Sequence, residues 1–102
     1  MKWNIHVRPE ALVDIRAIGE FVRIEHEDEA LASRIVTDIY NRIVALEDSP
    51  MRFRFHPLLE DINVRYAAVG SWVILFQTTE ENKRVDVLCV THRYRNVRDI
   101  MQ

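Results

Sequence analysis

The chain has 102 residues, of which 48% are hydrophobic and 29% charged, and its formal net charge is −2. This balance is that of a folded globular protein, which excludes a disordered chain, and no apolar run is long enough to span a bilayer. The slight overall acidity also argues against a protein that coats nucleic acid through its net charge.

The N-terminal residues predict a strand followed by a helix. Trp3, Ile5 and Val7 alternate with polar residues, which is the pattern of a half-buried strand. Pro9 ends the strand and suits the first turn of a helix, where its missing N–H needs no partner. Apolar residues at helical spacing then predict a helix over about residues 9–25; they are Ala11, Ile15, Ile18 and Val22.

A second helix is predicted after a short acidic link. Asp28 is placed to cap its N-terminus, and Ser49-Pro50 ends it. Its apolar stripe consists of Leu31, Ile35, Ile39, Ile43 and Leu46. Two such stripes joined by a short link predict an antiparallel helical hairpin lying on a sheet. Gly19 in the first helix indicates close approach to a neighbouring helix.

The second half predicts a loop and three strands. Apolar residues show no regular spacing over residues 51–61, whereas over residues 62–67 apolar and polar residues alternate in a pattern that predicts a second strand. Gly70-Ser71 suits a hairpin turn, residues 72–78 form an apolar third strand, and a polar turn leads to the last strand. The order β-α-α-β-β-β predicts one α+β domain over residues 1–102: an N-terminal strand, the antiparallel helical hairpin and a three-stranded antiparallel meander.

The last strand, within residues 84–95, is expected to lie at the centre of the sheet. From Val85 to Thr91 every residue except Asp86 is apolar or β-branched, as in a strand covered on both faces. Strict alternation puts Val85, Val87, Cys89 and Thr91 on one face and Leu88, Val90 and His92 on the other. The strand then ends in His92, Arg93, Tyr94 and Arg95, so basic and aromatic groups should collect at one edge of the fold.

The sequence predicts neither a metal site nor a bound cofactor. Cys89 and His92 are three residues apart on a strand, so they point to opposite faces and cannot chelate together. The chain has two glycines, too few for a phosphate-binding loop. A single cysteine and an N-terminus without an apolar signal segment lead us to expect a cytoplasmic protein.

Basic residues remain as the candidate site. Residues 1–50 hold six Lys or Arg against ten Asp or Glu, whereas residues 51–102 hold eight against six. The expected cluster consists of Arg52, Arg54 and His56 on the loop, Arg65 on the second strand, and His92 to Arg95. Guanidinium groups, a histidine acid or base and a stacking aromatic are the parts of a metal-free ribonuclease that acts through the 2′-hydroxyl. The alternative, which composition alone favours, is that these arginines lie at strand ends without a common function.

The ordered set of motifs resembles the RelE/ParE superfamily of type II toxin–antitoxin toxins over nearly the whole chain. The similarity rests on Val64-Arg65, on the Gly70-Ser71-Trp72 hairpin with its apolar strand, and on the ending His92-Arg93-Tyr94-Arg95-Asn96. The His-x-x-Arg ending and the Gly-Ser-Trp hairpin are closer to ParE. The resemblance implies a plasmid-stabilisation toxin that inhibits DNA gyrase and forms a hetero-oligomer with a small, partly disordered antitoxin.

The same resemblance implies the residue roles. In the ParE-like interpretation, Arg93, Tyr94, Arg95 and Arg98 contact the target. The RelE-like alternative is a ribosome-dependent mRNA endonuclease in which Arg65 and His92 are catalytic and Arg52 and Arg54 bind nucleic acid. The C-terminal tyrosine expected of RelE-like members has no counterpart in this chain, because Arg98 and Asp99 occupy that region. A third possibility is a non-toxic module that only binds an antitoxin through an apolar hairpin surface lined by Phe21, Val22, Leu31 and Tyr40.

Overall fold

The computed structural model describes residues 2–100, and its elements follow the predicted order. The strands are β1 (Asn4–Val7), β2 (Arg65–Val69), β3 (Trp72–Thr79) and β4 (Arg84–His92). The helices are α1 (Pro9–His26), α2 (Glu29–Ala45) and a single turn, α3 (Val97–Ile100), which the sequence did not predict. Two 3₁₀ turns, Pro50–Arg52 and Glu60–Ile62, interrupt the predicted loop, so β2 begins later than the alternation of residues 62–67 indicated.

The sheet has the order β1-β4-β3-β2, which confirms that β4 is an interior strand. Strands β2, β3 and β4 form the predicted antiparallel meander, whereas β1 runs parallel to β4, so the sheet is mixed. β1 pairs only with Arg84–Val87. Within residues 2–100, the second half of β4 therefore has a strand neighbour on its β3 side alone.

A β-bulge in β4 overturns the predicted assignment of its side chains to the two faces. Phe76 of β3 pairs with Val87, but Leu75 pairs with Cys89, so Leu88 is an extra residue. The extra residue reverses the alternation from that point on. Val85, Val87, Val90 and His92 consequently share the face that contacts the helices, while Leu88 and Cys89 pack on the opposite face. Cys89 and His92 still face opposite ways, as predicted.

The helical hairpin is fixed by local signals that the sequence made visible. Pro9 occupies the first turn of α1, and the Asp28 carboxylate accepts a hydrogen bond of 2.9 Å from the Leu31 N–H at the start of α2. Gly19 lies where the two helices are in tight contact, because a Cβ built there would be 2.9 Å from Cγ2 of Val36. The predicted close approach at Gly19 is therefore confirmed.

Two hydrophobic clusters cover the two faces of the sheet. The larger cluster packs α1 and α2 against the sheet, with Ile15, Ile39, Ile74 and Phe76 fully buried. The smaller cluster lies on the other face; it consists of Leu59, Val64, Val73, Leu75, Leu88, Cys89 and Val97. Burying one such side chain contributes about 1.5–3 kcal/mol, so the sheet is held rigidly from both sides. Among residues 2–100, no helix has the length and apolar character needed to cross a membrane.

Candidate functional site

The basic turn at the end of β4, residues 92–95, is anchored through its backbone. His92 pairs with Trp72 in the sheet, and the Arg93 N–H donates a hydrogen bond of 2.9 Å to the carbonyl of Ser71. The Arg95 N–H donates to the His92 carbonyl at 3.0 Å, which closes the turn. The sheet therefore presents the side chains of this turn from a fixed backbone.

The side chains of the basic turn lie in solvent and interact with one another. Tyr94 is 83% exposed, and the Arg93 guanidinium lies 5.7 Å from the centre of its ring. Nδ1 of His92 accepts a hydrogen bond of 3.3 Å from the Tyr94 N–H. Because Nδ1 is the acceptor, the neutral imidazole carries its proton on Nε2, which has no hydrogen-bond partner within residues 2–100.

Beside this turn lies an apolar groove between α1 and the open side of β4. We call it the α1 groove; its volume is about 410 Å³ and its walls include Asp14, Ile18, Phe21, Trp72, His92 and Arg95. Aromatic rings continue across it in a row, with centroid separations of 6.5 Å from Phe21 to Trp72, 5.4 Å from Trp72 to His92 and 5.5 Å from His92 to Tyr94. Phe21 is 54% exposed despite its apolar character.

Asp14 sits in the wall of the α1 groove and forms a hydrogen bond with β4. Its carboxylate accepts a bond of 3.0 Å from the Val90 N–H, a backbone group in the part of β4 beyond its pairing with β1. Burial raises the pKa of Asp14, an effect that this hydrogen bond and the nearby Arg95 partly oppose. Burial, reinforced by Asp14, also raises the pKa of the Cys89 thiol to about 12.

Arg65 lies at the other end of the sheet and is engaged by the loop before β2. Its Nη1 donates to the carbonyls of Met51 at 3.1 Å and Phe53 at 2.5 Å. Its guanidinium also lies 4.2 Å from the centre of the Phe55 ring. Nε of Arg65 is buried without a hydrogen-bond partner among the described residues. These contacts attach the loop to the edge of the sheet.

The predicted basic cluster is therefore divided in two. Arg65 pairs with Phe76 on β3, whereas His92 pairs with Trp72, four residues away on the same strand. At ~3.3 Å per residue, this offset separates the two positions by about 13 Å along the sheet. The expectation that Arg65 and His92 share one edge is wrong, because they lie on the same face but at opposite ends.

The remaining predicted residues follow this division. Arg52 and Arg54 are exposed on the loop beside Arg65, with the Arg52 guanidinium 5.1 Å from the Phe53 ring centre. Arg98 forms an ion pair of 3.1 Å with Asp61, next to the second hydrophobic cluster rather than the α1 groove. Only Arg93, Tyr94 and Arg95 of the proposed target contacts thus belong to the basic turn.

His56, the loop histidine, has a separate environment. Burial lowers the pKa of His56, and its Nδ1 accepts a hydrogen bond of 3.2 Å from the Leu58 N–H. Its ring meets that of Tyr66 edge to face at 5.5 Å. Across residues 2–100, no three His, Cys, Asp or Glu side chains are grouped so that they could hold a metal ion.

Sequence reasoning missed that Asp14, Phe21 and Trp72 line one groove with His92 and Arg95. One signal was available: Asp14 is three residues after Ala11 and four before Ile18, so it borders the buried stripe of α1 and needs a partner there. A second signal is the row Ala17, Phe21 and Ile24, which gives α1 an apolar flank outside its buried stripe. Of the residues proposed for a hairpin surface, Val22 belongs to the core, whereas Phe21 and Tyr40 are exposed.

A family model described as the ParE toxin of the type II toxin–antitoxin system parDE matches residues 5–97. Among solved structures, the chain is similar to the chromosomal ParDE toxin–antitoxin system from P. aeruginosa. That match has 17% identity and a TM-score of 0.74, and it covers 88% of this chain and 95% of that chain. A search of curated proteins gave no significant match.

Two further solved structures share the fold. One is the toxin–antitoxin complex RelBE2 from Mycobacterium tuberculosis, with 17% identity, a TM-score of 0.59, and coverage of 91% of this chain and 100% of that chain. The other is a double arginine-to-alanine mutant of the E. coli toxin RelE in the free state. It has 15% identity and a TM-score of 0.65, and the match covers 92% of this chain and 86% of that chain.

Proposed function

This chain belongs to the family of ParE toxins of type II toxin–antitoxin systems, and on that premise we propose that it inhibits DNA gyrase and is neutralised by a cognate antitoxin. The observation that supports the gyrase target most strongly is the separation of Arg65 from His92 across the sheet. A ribonuclease that uses both residues needs them on one phosphodiester, whereas a gyrase inhibitor needs only a binding surface.

The separation is too large for joint catalysis. The two positions are offset by about 13 Å along the sheet and by two strand spacings, about 10 Å, across it. Catalytic groups must come within about 3 Å of the atoms on which they act. Arg65 does not bridge the gap, because its Nη1 donates to two loop carbonyls at its own end of the sheet.

The basic turn supplies the target contacts in this proposal. Arg93 and Arg95 are exposed, and within residues 2–100 neither forms an ion pair. Guanidinium groups on a rigid backbone bind carboxylates or phosphates with little loss of conformational freedom. Tyr94 adds an exposed aromatic ring between them. Arg98 is a weaker contact, because Asp61 already neutralises part of its charge.

The proposal is tested by adding purified protein to DNA gyrase and relaxed plasmid. We expect supercoiling to stop and cleaved plasmid to accumulate, and induction in cells without antitoxin should trigger the DNA-damage response. The double variant Arg93→Ala/Arg95→Ala should raise the concentration needed for inhibition by about tenfold or more, as for loss of a binding hot spot. The matched control Arg34→Ala/Arg42→Ala, at two exposed positions on α2, should inhibit like the wild type.

RelE-like cleavage of mRNA on the ribosome is the second candidate. It is favoured by Arg52 and Arg54, which are exposed beside Arg65 and could bind an RNA backbone at that end of the sheet. Codon-linked mRNA cuts soon after induction, together with normal gyrase activity, would reverse our ranking. Arg52→Ala/Arg54→Ala should then weaken cleavage without loosening the loop, because neither side chain hydrogen-bonds within residues 2–100.

A chain that binds antitoxin without being toxic is the remaining possibility. Unimpaired growth after induction in the absence of antitoxin, with intact plasmid supercoiling and intact mRNA, would identify it. Such a chain would copurify with the product of a small reading frame directly upstream, and binding that product would be its sole activity.

A further inference from the structure

The α1 groove combines features of a peptide-docking site. Its floor contains the buried side chains of Ile18 and Val90, and the rings of Phe21 and Trp72 stand at its sides. A monomer gains nothing by leaving half of Phe21 in water, because burying a phenylalanine contributes about 1.5–3 kcal/mol. An exposed aromatic at the rim of an apolar groove marks a contact surface.

Charge at the α1 groove is arranged to select an acidic partner. Arg95 lies in the wall close enough to Asp14 to lower that carboxyl's pKa, yet it forms no ion pair within residues 2–100. Arg93 adds a second guanidinium on the basic turn, and it too forms no ion pair within residues 2–100. An incoming carboxylate can pair with Arg95 while the apolar residue beside it enters the groove.

The same geometry disfavours a nucleic acid strand. Neighbouring rings of the aromatic row meet nearly at right angles, 80° for Phe21 with Trp72 and 82° for Trp72 with His92, so they form no common stacking platform.

We propose that the α1 groove is the docking site for one bulky apolar side chain of the antitoxin, carried next to an acidic residue that pairs with Arg95. The inference rests on the proposed toxin–antitoxin partnership and adds the residues and the chemistry of the contact. Because Arg95 also belongs to the basic turn, the bound antitoxin would cover part of the surface assigned to the target.

The test measures the affinity of the purified chain for the protein encoded by the adjacent antitoxin gene, by calorimetry. Phe21→Ala and Arg95→Glu should each raise the Kd by about tenfold or more. Val44→Ala and Arg42→Glu are the matched controls; Val44 is 57% exposed on α2 and Arg42 is exposed on the same helix, so both should leave the Kd within about twofold. Circular dichroism establishes that all four variants are folded.

Charge-reversal rescue then identifies the acidic partner residue. Each Asp or Glu of the antitoxin is changed to Lys in turn and measured against Arg95→Glu. We expect one reversal, next to a bulky apolar residue, to restore the affinity to within a few-fold of the wild type. Absence of any rescuing position would overturn the proposed pairing.

Other outcomes separate this inference from the proposed function. Tight binding of the antitoxin that is unchanged by Phe21→Ala and Arg95→Glu refutes the α1 groove but leaves the toxin–antitoxin function intact. No binding to the wild-type chain refutes both. Dimerisation of the free chain that Phe21→Ala abolishes, or binding of a fluorescent single-stranded oligonucleotide that depends on Phe21, would assign the groove to a different occupant and refute the proposal.

Discussion

Replacing Arg65 with alanine should destabilise the fold, because the side chain attaches the loop before β2 to the sheet. Hydrogen bonds from a charged donor contribute about 1.5–3 kcal/mol each, and we take the lower value because Arg65 is half-buried. Two bonds then give about 3 kcal/mol, and the contact with the Phe55 ring adds about 0.5–1 kcal/mol. Removing Nε, which has no partner within residues 2–100, returns about 1 kcal/mol, so the net loss is about 2.5–3 kcal/mol.

The assay is urea denaturation followed by circular dichroism, with a thermal melt beside it. For a chain of this size the loss corresponds to a fall in Tm of about 10–20 °C. Arg65→Lys should lose an intermediate amount, because an ammonium group keeps the charge but not the planar fork. Arg54→Ala, on the same loop with an exposed side chain, should change stability by no more than about 0.5 kcal/mol. Unchanged stability of Arg65→Ala, combined with loss of toxicity, would refute a structural role and restore Arg65 as a catalytic candidate.

Three further predictions concern Asp14, Gly19 and Cys89. Burial raises the pKa of Asp14 above its ordinary value of 3.8. The stability that this shift contributes is therefore complete below pH 3.8 and is lost as the pH rises through the pKa of the folded protein. Asp14→Asn should remove this decline from urea midpoints measured between about pH 3 and 7. Gly19→Ala should cost about 1 kcal/mol, because a clash with Val36 outweighs the gain in helix propensity, and Val36→Ala in the same chain should recover part of the loss in thermal melts. The Cys89 thiol, with its pKa near 12, should resist a disulfide reagent at pH 8 and react once urea unfolds the chain.

Features set by neighbouring residues could be predicted from the sequence. Pro9 at the start of α1, the Asp28 cap and the positive φ of Gly70, 58°, each depend on a few consecutive residues. The interior position of β4 was also visible, since its apolar run requires cover on both faces. The family resemblance added the expected fold and the class of function, and both agree with the matched family and the solved relatives.

Features set by distant pairing could not be predicted. The bulge at Leu88 lies where β4 contributes side chains to both hydrophobic clusters, and no local pattern marks the extra residue. Arg65 has carbonyl partners on an irregular loop, and a sequence does not show where carbonyls point. The parallel pairing of β1 with β4 likewise depends on the whole sheet.

The parallel pairing of β1 with β4 has a consequence for synthesis. Ile5 is synthesised 80 residues before its neighbour in the sheet, Val85. Until β4 has been made, the sheet next to α1 lacks an interior strand, and the nascent chain does not yet contain the basic turn. A contact of such long sequence separation also slows folding. Under the function proposed above, the target-binding turn therefore forms only after β4 has been made, so an antitoxin that is already present can bind the chain as it folds.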